Sequence, residues 1–275
     1  MTILYESGFC RVINFLCECT DCVVSKPEYQ DRFSLCFIRR GNFIFKTFNS
    51  DLDSHTGKIL LNKPGYEYRV AHLHQIPDQC TIFSFSSEFF NQLTEMYPRH
   101  LLGFLQHRDI QSTQVNSTPG IDYLHHQMFN LLLKGDFSSF QVDNGLIEFV
   151  DAVFCSDESV SRPVHITGNE KRNYLPRIEK AKEFIQSSFR EKISLKEIAA
   201  QSAMSEFHFA RIFRRMTGTT PYQYVTDLRL SHATHLLKRS EHRISEISYL
   251  SGFSDPSHFS TAFRAKNGRP PKSLR

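Results

Sequence analysis

The chain has 275 residues, of which 40% are apolar and 23% charged, a composition that can bury the cores of two ordinary domains. No segment approaches the roughly 18 apolar residues of a membrane span, and the first six residues lack the basic and apolar parts of a secretion signal. Neither a membrane span nor a signal peptide is therefore expected, and the cytoplasm is the expected compartment. There the seven cysteines are expected to be reduced thiols rather than a disulfide framework.

The net charge of +4 is unevenly distributed along the chain. Residues 166–275 contain 20 Lys and Arg against 10 Asp and Glu, a net charge of +10, whereas residues 1–165 contain 13 against 19, a net charge of −6. A basic half favours a polyanionic partner, because Lys and Arg that neutralise phosphates release condensed counterions. We expect the acidic half not to contact the nucleic acid.

Residues 33–87 contain short apolar runs separated by turn residues. Alternating aromatic residues, as in Phe43-Ile44-Phe45, have the period of two that is typical of strands. Segments such as Lys63-Pro64-Gly65 separate the runs, because Gly accepts a positive φ and Pro fixes the entry to a turn. The sequence predicts a small antiparallel sandwich or barrel, with strands at residues 33–38, 42–48, 57–61, 66–70 and 81–86.

The spacing of apolar residues changes after residue 88. In segments 89–96, 123–132 and 146–153 they recur every three or four positions, which is the helical period. A layer of helices from about residue 88 is therefore expected after the sheet. Residues 157–173 are polar and show no apolar period, so they are the predicted linker. They separate an N-terminal domain of residues 1–156 from a C-terminal domain of residues 174–275.

Two groups of potential metal ligands lie in the N-terminal half. Cys17, Cys19 and Cys22 place three thiols within six residues, which could bind Zn²⁺ or sense oxidants. Alternate cysteines on a strand can also be small apolar core residues, and we favour that interpretation. His72 and His74 alternate as ligands on a strand do, but no Glu follows at a fitting distance. We therefore predict no metal site, no catalytic residue and no cofactor.

Residues 195–221 and 244–271 repeat one pattern. The first part matches at an offset of 49 residues and, after a slip of one residue, the second part matches at an offset of 50. Chance matches would not keep one register with a single slip, so the sequence indicates a duplicated unit. The matched pairs include Leu195 and Ile244, Glu197 and Glu246, Ile198 and Ile247, Phe209 and Phe259, Phe213 and Phe263, Gly218 and Gly268, and Pro221 and Pro271.

Helix starts are marked within and between the two copies. Ser194 stands three residues before Glu197, the spacing of a capping box. Thr220 and Asp255 are capping residues that precede a proline at the first helical position. Each copy then consists of a short helix, a tight turn and a second helix. That is the helix-turn-helix arrangement, whose second helix enters the major groove of DNA.

The outer face of each second helix is what remains once the core positions are assigned. In the first copy it comprises Glu206, Phe207, Ala210, Arg211 and Arg214. In the second copy it comprises Ser257, His258, Thr261, Arg264 and Ala265. The helix predicted over about residues 221–238 would extend about 27 Å. Adding the width of the helices packed at each end places the two recognition helices roughly 34 Å apart. This is one turn of B-DNA, so both could enter successive major grooves.

Residues from about 193 to 275 resemble the DNA-binding domain of the AraC/XylS transcription regulators. The residues that carry the resemblance are Phe213, Gly218, Pro221, Tyr224, Arg229, Ala233, Leu236, Leu237, Ile244, Ile247, Gly252, Phe253, Ser257, Phe259, Phe263, Gly268, Pro271 and Arg275. Residues 1–165 resemble the family's cupin-type sensor domain more weakly. The resemblance implies an α+β chain: an N-terminal cupin-like β-barrel or sandwich with helices, then an all-α domain with two helix-turn-helix units joined by a long helix.

The resemblance also assigns base contacts to Phe207, Ala210 and Arg211 in the first unit and to Ser257, His258 and Thr261 in the second. The complete set of predicted DNA contacts is Glu206, Phe207, Ala210, Arg211, Arg214, Arg215, Ser257, His258, Thr261 and Arg264. Arg211 could contact a phosphate instead of a base, and we favour the base.

Three positions depart from the family pattern or from the internal repeat. Thr261 stands where the family often has Arg, and Leu274 stands where it usually has Tyr. Since Thr offers one hydroxyl or a methyl contact, the first helix is expected to set most of the sequence preference, and the second to position the protein. Ala203 occupies the turn position of Gly252, which predicts left-handed backbone strain in the first turn.

The expected function is that of a sequence-specific DNA-binding transcription regulator, an activator without enzymatic activity, controlled through the N-terminal domain by a ligand or by dimerisation. The expected partners are double-stranded promoter DNA, RNA polymerase, a second copy of the chain and, where the N-terminal half binds one, a small-molecule effector. The aromatic residues between 33 and 90 would line its pocket or simply fill a barrel, and filling is the simpler expectation.

Two alternatives remain open. Some DNA-repair methyltransferases carry an AraC-like domain beside a four-cysteine zinc site, and the thiols at 17–22 invite that comparison, although their spacing is too tight for paired ligands. In the other alternative the N-terminal half is purely an oligomerisation module, with the predicted helices at 123–132 and 146–153 as the interface.

Overall fold

The computed structural model describes residues 1–17, 24–72, 77–97, 102–155 and 166–275. The chain divides into two compact units, Met1–Pro176 and Arg177–Arg275. The first combines sheets and helices and the second is helical, so the predicted α+β composition is confirmed. Within the described ranges, no helix has the length and apolar character needed to span a bilayer.

The described part of the first unit contains ten strands in two antiparallel sheets. The strands are β1 Thr2–Glu6, β2 Cys10–Leu16, β3 Glu28–Gln30, β4 Phe33–Arg40, β5 Asn42–Lys46, β6 Asp51–His55, β7 Lys58–Asn62, β8 Tyr66–His72, β9 Gln79–Phe85 and β10 Ser112–Asn116. The sheet orders are β1-β2-β9-β4-β7-β10 and β3-β8-β5-β6. No ladder joins the two sheets among these residues, so the predicted barrel or sandwich takes the form of two open sheets rather than a closed barrel.

Strand β4 shows how the sequence pattern builds this unit. Phe33, Leu35 and Phe37 belong to a core that also contains residues of the helices, such as Leu146 and Phe149. The intervening Cys36 and Ile38 belong to a second core with residues of the four-stranded sheet. Because successive side chains of a strand point to opposite faces, β4 is covered on both sides and is almost continuously apolar.

The helices of the first unit follow the strands as the apolar spacing predicts. They are α1 Ser87–Met96, α2 Leu102–Gln106, α3 Pro119–Lys134 and α4 Ser139–Phe154. Thr118 caps α3, and Gly135 ends it in the left-handed conformation. Helix α5, Gly168–Ser188, crosses the boundary between the two units and includes residues 168–173 of the predicted linker. Residues 156–165 lie outside the described part of the chain.

The second unit continues with α6 Leu195–Gln201, α7 Glu206–Thr217, α8 Pro221–Arg239, α9 Ile244–Leu250, α10 Pro256–Asn267 and a 3-10 turn at Pro271–Leu274. Helix α8 contributes to the packing of both copies of the repeat. Near its start Tyr224 makes an edge-on ring contact with Phe213 of α7, with centroids 5.4 Å apart. Further along, Leu230, Ala233 and Leu237 pack against a core that contains Phe259 of α10.

Candidate nucleic-acid interface

Three N-caps position the helices of the interface. Ser194 and Glu197 form the predicted capping box, in which the Glu197 amide donates to Ser194 Oγ at 3.2 Å and the Ser194 amide donates to Glu197 Oε2 at 2.7 Å. The hydrogen bonds from Ser194 lower the pKa of Glu197. Thr220 caps α8 in a second box with Gln223. All three helix starts predicted from the sequence are confirmed.

Asp255 is the third cap and fixes the start of α10. Its two carboxylate oxygens accept the backbone amides of Ser257 at 3.0 Å and of His258 at 3.2 Å. These two hydrogen bonds lower the pKa of Asp255 from its usual value. They also align the first turn of α10, from which Ser257 and His258 project.

The two turns between the paired helices differ in backbone strain. Ala203 adopts φ 49°, which confirms the strain predicted for the first turn, since a Cβ is crowded in the left-handed region. Gly252 adopts φ 87° in the second turn. A Cβ on Gly252 would lie 2.8 Å from the carbonyl oxygens of Phe189 and Arg190, so this turn also needs glycine for space.

Helix α7 presents most of its predicted contact residues to solvent. All the predicted residues of this helix are exposed except Ala210, which is half-buried. Phe207 is 83% exposed although it is a large apolar side chain. Arg211 Nη2 donates to His208 Nδ1 at 3.4 Å, a contact one turn along the same helix. On the opposite side Phe209 and Phe213 are fully buried, so the outer and inner faces are clearly separated.

Helix α10 presents a smaller and less basic face. Ser257, His258, Thr261 and Arg264 are all exposed. The Thr261 hydroxyl donates to the carbonyl oxygen of Ser257 at 3.0 Å, which leaves its oxygen as an acceptor. His258 Nε2 lies 3.4 Å from the hydroxyl of Tyr222 on α8.

Two apolar residues of the short helices lie outside the core. The helical spacing predicts that Leu195 and Leu250 lie on the inner faces, but this is wrong, because they are 37% and 46% exposed. Each is the first or last residue of a seven-residue helix, whereas Ile198 and Ile247, nearer the middle of these helices, are buried. Helices of two turns leave their terminal residues beyond the core even when the period of the sequence would include them.

Two contacts of this unit were not predicted from the sequence. Tyr222 is 65% exposed beside His258 and adds an aromatic hydroxyl next to the α10 face. Arg229 belongs to the family pattern, and its guanidinium donates to the carbonyl oxygens of Phe189 at 2.7 Å and Glu191 at 2.8 Å. Arg229 therefore holds the end of α5 against α8.

The candidate ligand residues of the N-terminal half are only partly described. Cys19, Cys22 and His74 lie outside the described residues. Cys17 follows the end of β2, and His72 is the last residue of β8. The thiol of Cys17 lies 3.9 Å from Nδ1 and 3.8 Å from Nε2 of His72. His72 Nδ1 also lies 2.5 Å from Oδ2 of Asp78, a residue that was not considered from the sequence.

A cavity of about 260 Å³ lies between the two sheets. Aromatic residues including Phe15, Phe43 and Phe45 line it together with His72 and Asp78. The aromatic residues therefore do not fill the space completely. The expectation that they simply fill a barrel is wrong at this place.

His55 ends strand β6 and is buried. Burial lowers its pKa to about 4, because the charged imidazolium loses its hydration.

Residues 177–275 match the family described as "Helix-turn-helix domain". The HTH-type transcriptional activator RhaS of Salmonella arizonae is 37% identical over 92 residues, which are 34% of this chain and 33% of that protein. The match thus spans about a third of the length of the curated relatives.

Two solved structures are similar over the same share of the chain. A transcriptional regulator of Chromobacterium violaceum, described as having an AraC-type DNA-binding domain, is 30% identical and covers 36% of this chain and 89% of its own, with a TM-score of 0.35. The DNA-binding domain of the global transcriptional factor AdpA, solved in complex with a target DNA, is 27% identical over 35% of this chain and 87% of its own, with a TM-score of 0.34. RhaS is described as a transcriptional activator, and neither it nor the matching family supports the methyltransferase hypothesis.

Proposed function

We propose that the chain is a transcription regulator of the AraC/XylS family, which binds promoter DNA sequence-specifically and activates transcription. The single observation that carries the proposal is the exposed face of α7. Arg214 lies in the last turn of α7, whereas Phe207 and Arg211 lie in the N-terminal half of this second helix of a helix-turn-helix unit. Residues at this place of a recognition helix contact base edges, and Arg can donate two hydrogen bonds to one guanine.

The second helix-turn-helix unit supplies a weaker contact surface. Ser257, Thr261 and Arg264 share one face of α10, because they are separated by three and four residues. Ser and Thr each offer a single hydroxyl, so this face discriminates less between bases than two arginines do. Helix α8 has 19 residues and extends about 28 Å. That length supports the proposal that α7 and α10 enter successive major grooves.

The first unit is proposed as a cupin-like sensor and dimerisation domain. Its intersheet cavity supports an effector site. The helices α3 and α4 support a homodimer, because Leu133, Phe140 and Ile147 are exposed apolar residues on them. The proposed activation of transcription requires contact with RNA polymerase, and it is supported by the description of RhaS as an activator.

Binding of Arg211→Ala to a selected operator tests the proposal. Operators are first selected from random duplexes with the wild-type chain, and affinities are then measured for all substitutions at each base pair. Arg211→Ala is expected to weaken specific binding by about 1–3 kcal/mol and to relax the preference at one base pair. Arg69→Ala serves as the matched control, because it removes the same charge from an exposed strand residue of the acidic half.

Two outcomes would contradict the proposal in different ways. Equal weakening on every sequence would make Arg211 a phosphate contact and remove the assigned base contact. Failure of the wild-type chain to enrich any operator would refute sequence-specific binding itself.

A further inference from the structure

We propose that Cys17, His72 and Asp78 form a binding site for a thiophilic divalent cation, of which Zn²⁺ is the expected occupant. The three residues come from separate segments of the first unit: the end of β2, the end of β8 and the residue before β9. Their ligand atoms all lie within 4.8 Å of one another. The proposal concerns this unit alone and does not rest on DNA binding.

The distances suit an ion placed between the three groups. In a tetrahedral site with Zn–S of about 2.3 Å and Zn–N and Zn–O of about 2.0–2.2 Å, neighbouring ligand atoms lie roughly 3.3–3.7 Å apart. Cys17 Sγ is 3.9 Å from His72 Nδ1, close to that separation. His72 Nδ1 and Asp78 Oδ2 are 2.5 Å apart, the distance of a shared proton. An ion replacing that proton requires the carboxylate and the imidazole to separate by about 1 Å.

The donor set determines which cation fits. Thiolate and imidazole ligands favour Zn²⁺, whereas Mg²⁺ and Ca²⁺ require oxygen ligands throughout. On binding, the thiol of Cys17 releases its proton to solvent, and the neutral imidazole of His72 coordinates through Nδ1 with its own proton on Nε2. With the carboxylate of Asp78, the site then carries two negative charges that a divalent cation balances.

The carboxylate of Asp78 is held in place before any ion arrives. Asp78 is 1% exposed, and its Oδ1 accepts the backbone amide of Asn42 at 2.9 Å. Gly41 allows this approach, because a Cβ there would lie 2.2 Å from Oδ1 of Asp78. The carbonyl oxygen of Asp78 accepts the amide of Cys17 at 2.8 Å, which joins two of the ligand segments directly. Such supporting contacts orient metal ligands and raise the affinity.

The site adjoins the cavity between the sheets. His72 and Asp78 both line that cavity, which gives a fourth ligand access to the ion. Three protein ligands with one open position give an exchangeable site, in contrast to the closed sites of structural zinc. A water molecule or a small ligand in the cavity would complete the coordination.

Cobalt and zinc titrations of the metal-free full-length chain test the assignment. We expect about one ion per chain, and with Co²⁺ a near-ultraviolet absorption band from the thiolate–cobalt bond. Cys17→Ser should abolish the band, and both Cys17→Ser and His72→Ala should lower the Zn²⁺ affinity at least about tenfold. Cys155→Ser is the matched control, since Cys155 is an exposed thiol after α4, and it should leave both results unchanged.

Several results would overturn the site. The absence of stoichiometric Co²⁺ or Zn²⁺ binding would do so, as would an unchanged band in Cys17→Ser. Loss of the band in Cys19→Ser or Cys22→Ser but not in Cys17→Ser would place the ion elsewhere. Asp78 also holds the turn at Gly41, so its replacement would disturb the fold as well as the site. The test therefore uses Cys17→Ser and His72→Ala, and circular dichroism checks that each variant is folded.

Discussion

At the scale of single residues, the two copies of the repeat form the same left-handed turn with different residues. Ala203 tolerates a left-handed backbone in the first turn, whereas Gly252 removes both the strain and a collision in the second. The difference is visible in the sequence, because the repeat aligns the two positions. The collision is not visible there, since the carbonyl oxygens of Phe189 and Arg190 come from a distant segment.

Exchanging the two turn residues should have opposite effects. Gly252→Ala is expected to destabilise the second unit by about 2–3 kcal/mol, because backbone oxygens cannot yield to a Cβ as a flexible side chain would. Ala203→Gly is expected to stabilise the chain by up to about 1 kcal/mol, since φ 49° suits glycine. Midpoints of denaturant unfolding measure both. A shift of both variants in the same direction would contradict the explanation.

At the scale of elements, the strands that could be predicted from the sequence are those with a local pattern of apolar residues. The five predicted strands occur as β4, β5, β7, β8 and β9, each within two residues of its predicted ends. The prediction missed β1, β2, β3, β6 and β10. Strands β6 and β10 lie at sheet edges, where one backbone side and much of the surface meet water, so their sequences are polar and lack the apolar signal.

The cap of α10 should make stability depend on acid pH. The pKa of Asp255 is lowered in the folded chain by the amides that it accepts, relative to its usual 3.8. Its stabilising contribution is therefore complete above about pH 4 and is lost as the pH falls through the lower folded value. Thermal unfolding of the wild type and Asp255→Asn should differ near neutral pH, and the difference should shrink as the pH falls below the usual pKa of an aspartate. A difference independent of pH would show that the charge of Asp255 is irrelevant to the cap.

At the scale of the whole molecule, the charge asymmetry agrees with the division into units, because the helical unit lies within the basic half. The candidate metal ligands could not be predicted in the same way. Cys17, His72 and Asp78 meet because β2 and β9 pair in one sheet while β8 belongs to the other. Their proximity depends on how the two sheets pack against each other, and it cannot be predicted from the spacing of residues along the chain.

Salt should weaken DNA binding by the full-length chain. The logarithm of the binding constant is expected to fall linearly with the logarithm of the salt concentration, by about 0.9 for each neutralised phosphate. Arg215→Gln, near the end of α7, should reduce that slope by about 1 and leave base preference unchanged, whereas Arg69→Gln should leave both unchanged. Filter binding or anisotropy over a salt series measures the slope. A flat response of the wild type would contradict the proposed phosphate contacts.

Helix α8 supplies core side chains to both helix-turn-helix units, so neither recognition helix can shift along or around it without breaking a core. Under the proposed binding, one base pair inserted between the two half-sites displaces the second by about 3.4 Å and turns it by about 35° around the duplex. The chain cannot follow that change. Insertions and deletions between the half-sites of a target promoter should therefore abolish transcriptional control more often than base substitutions do. Among the binding sites of the chain in a genome, the base sequence should vary while the spacing between half-sites stays constant.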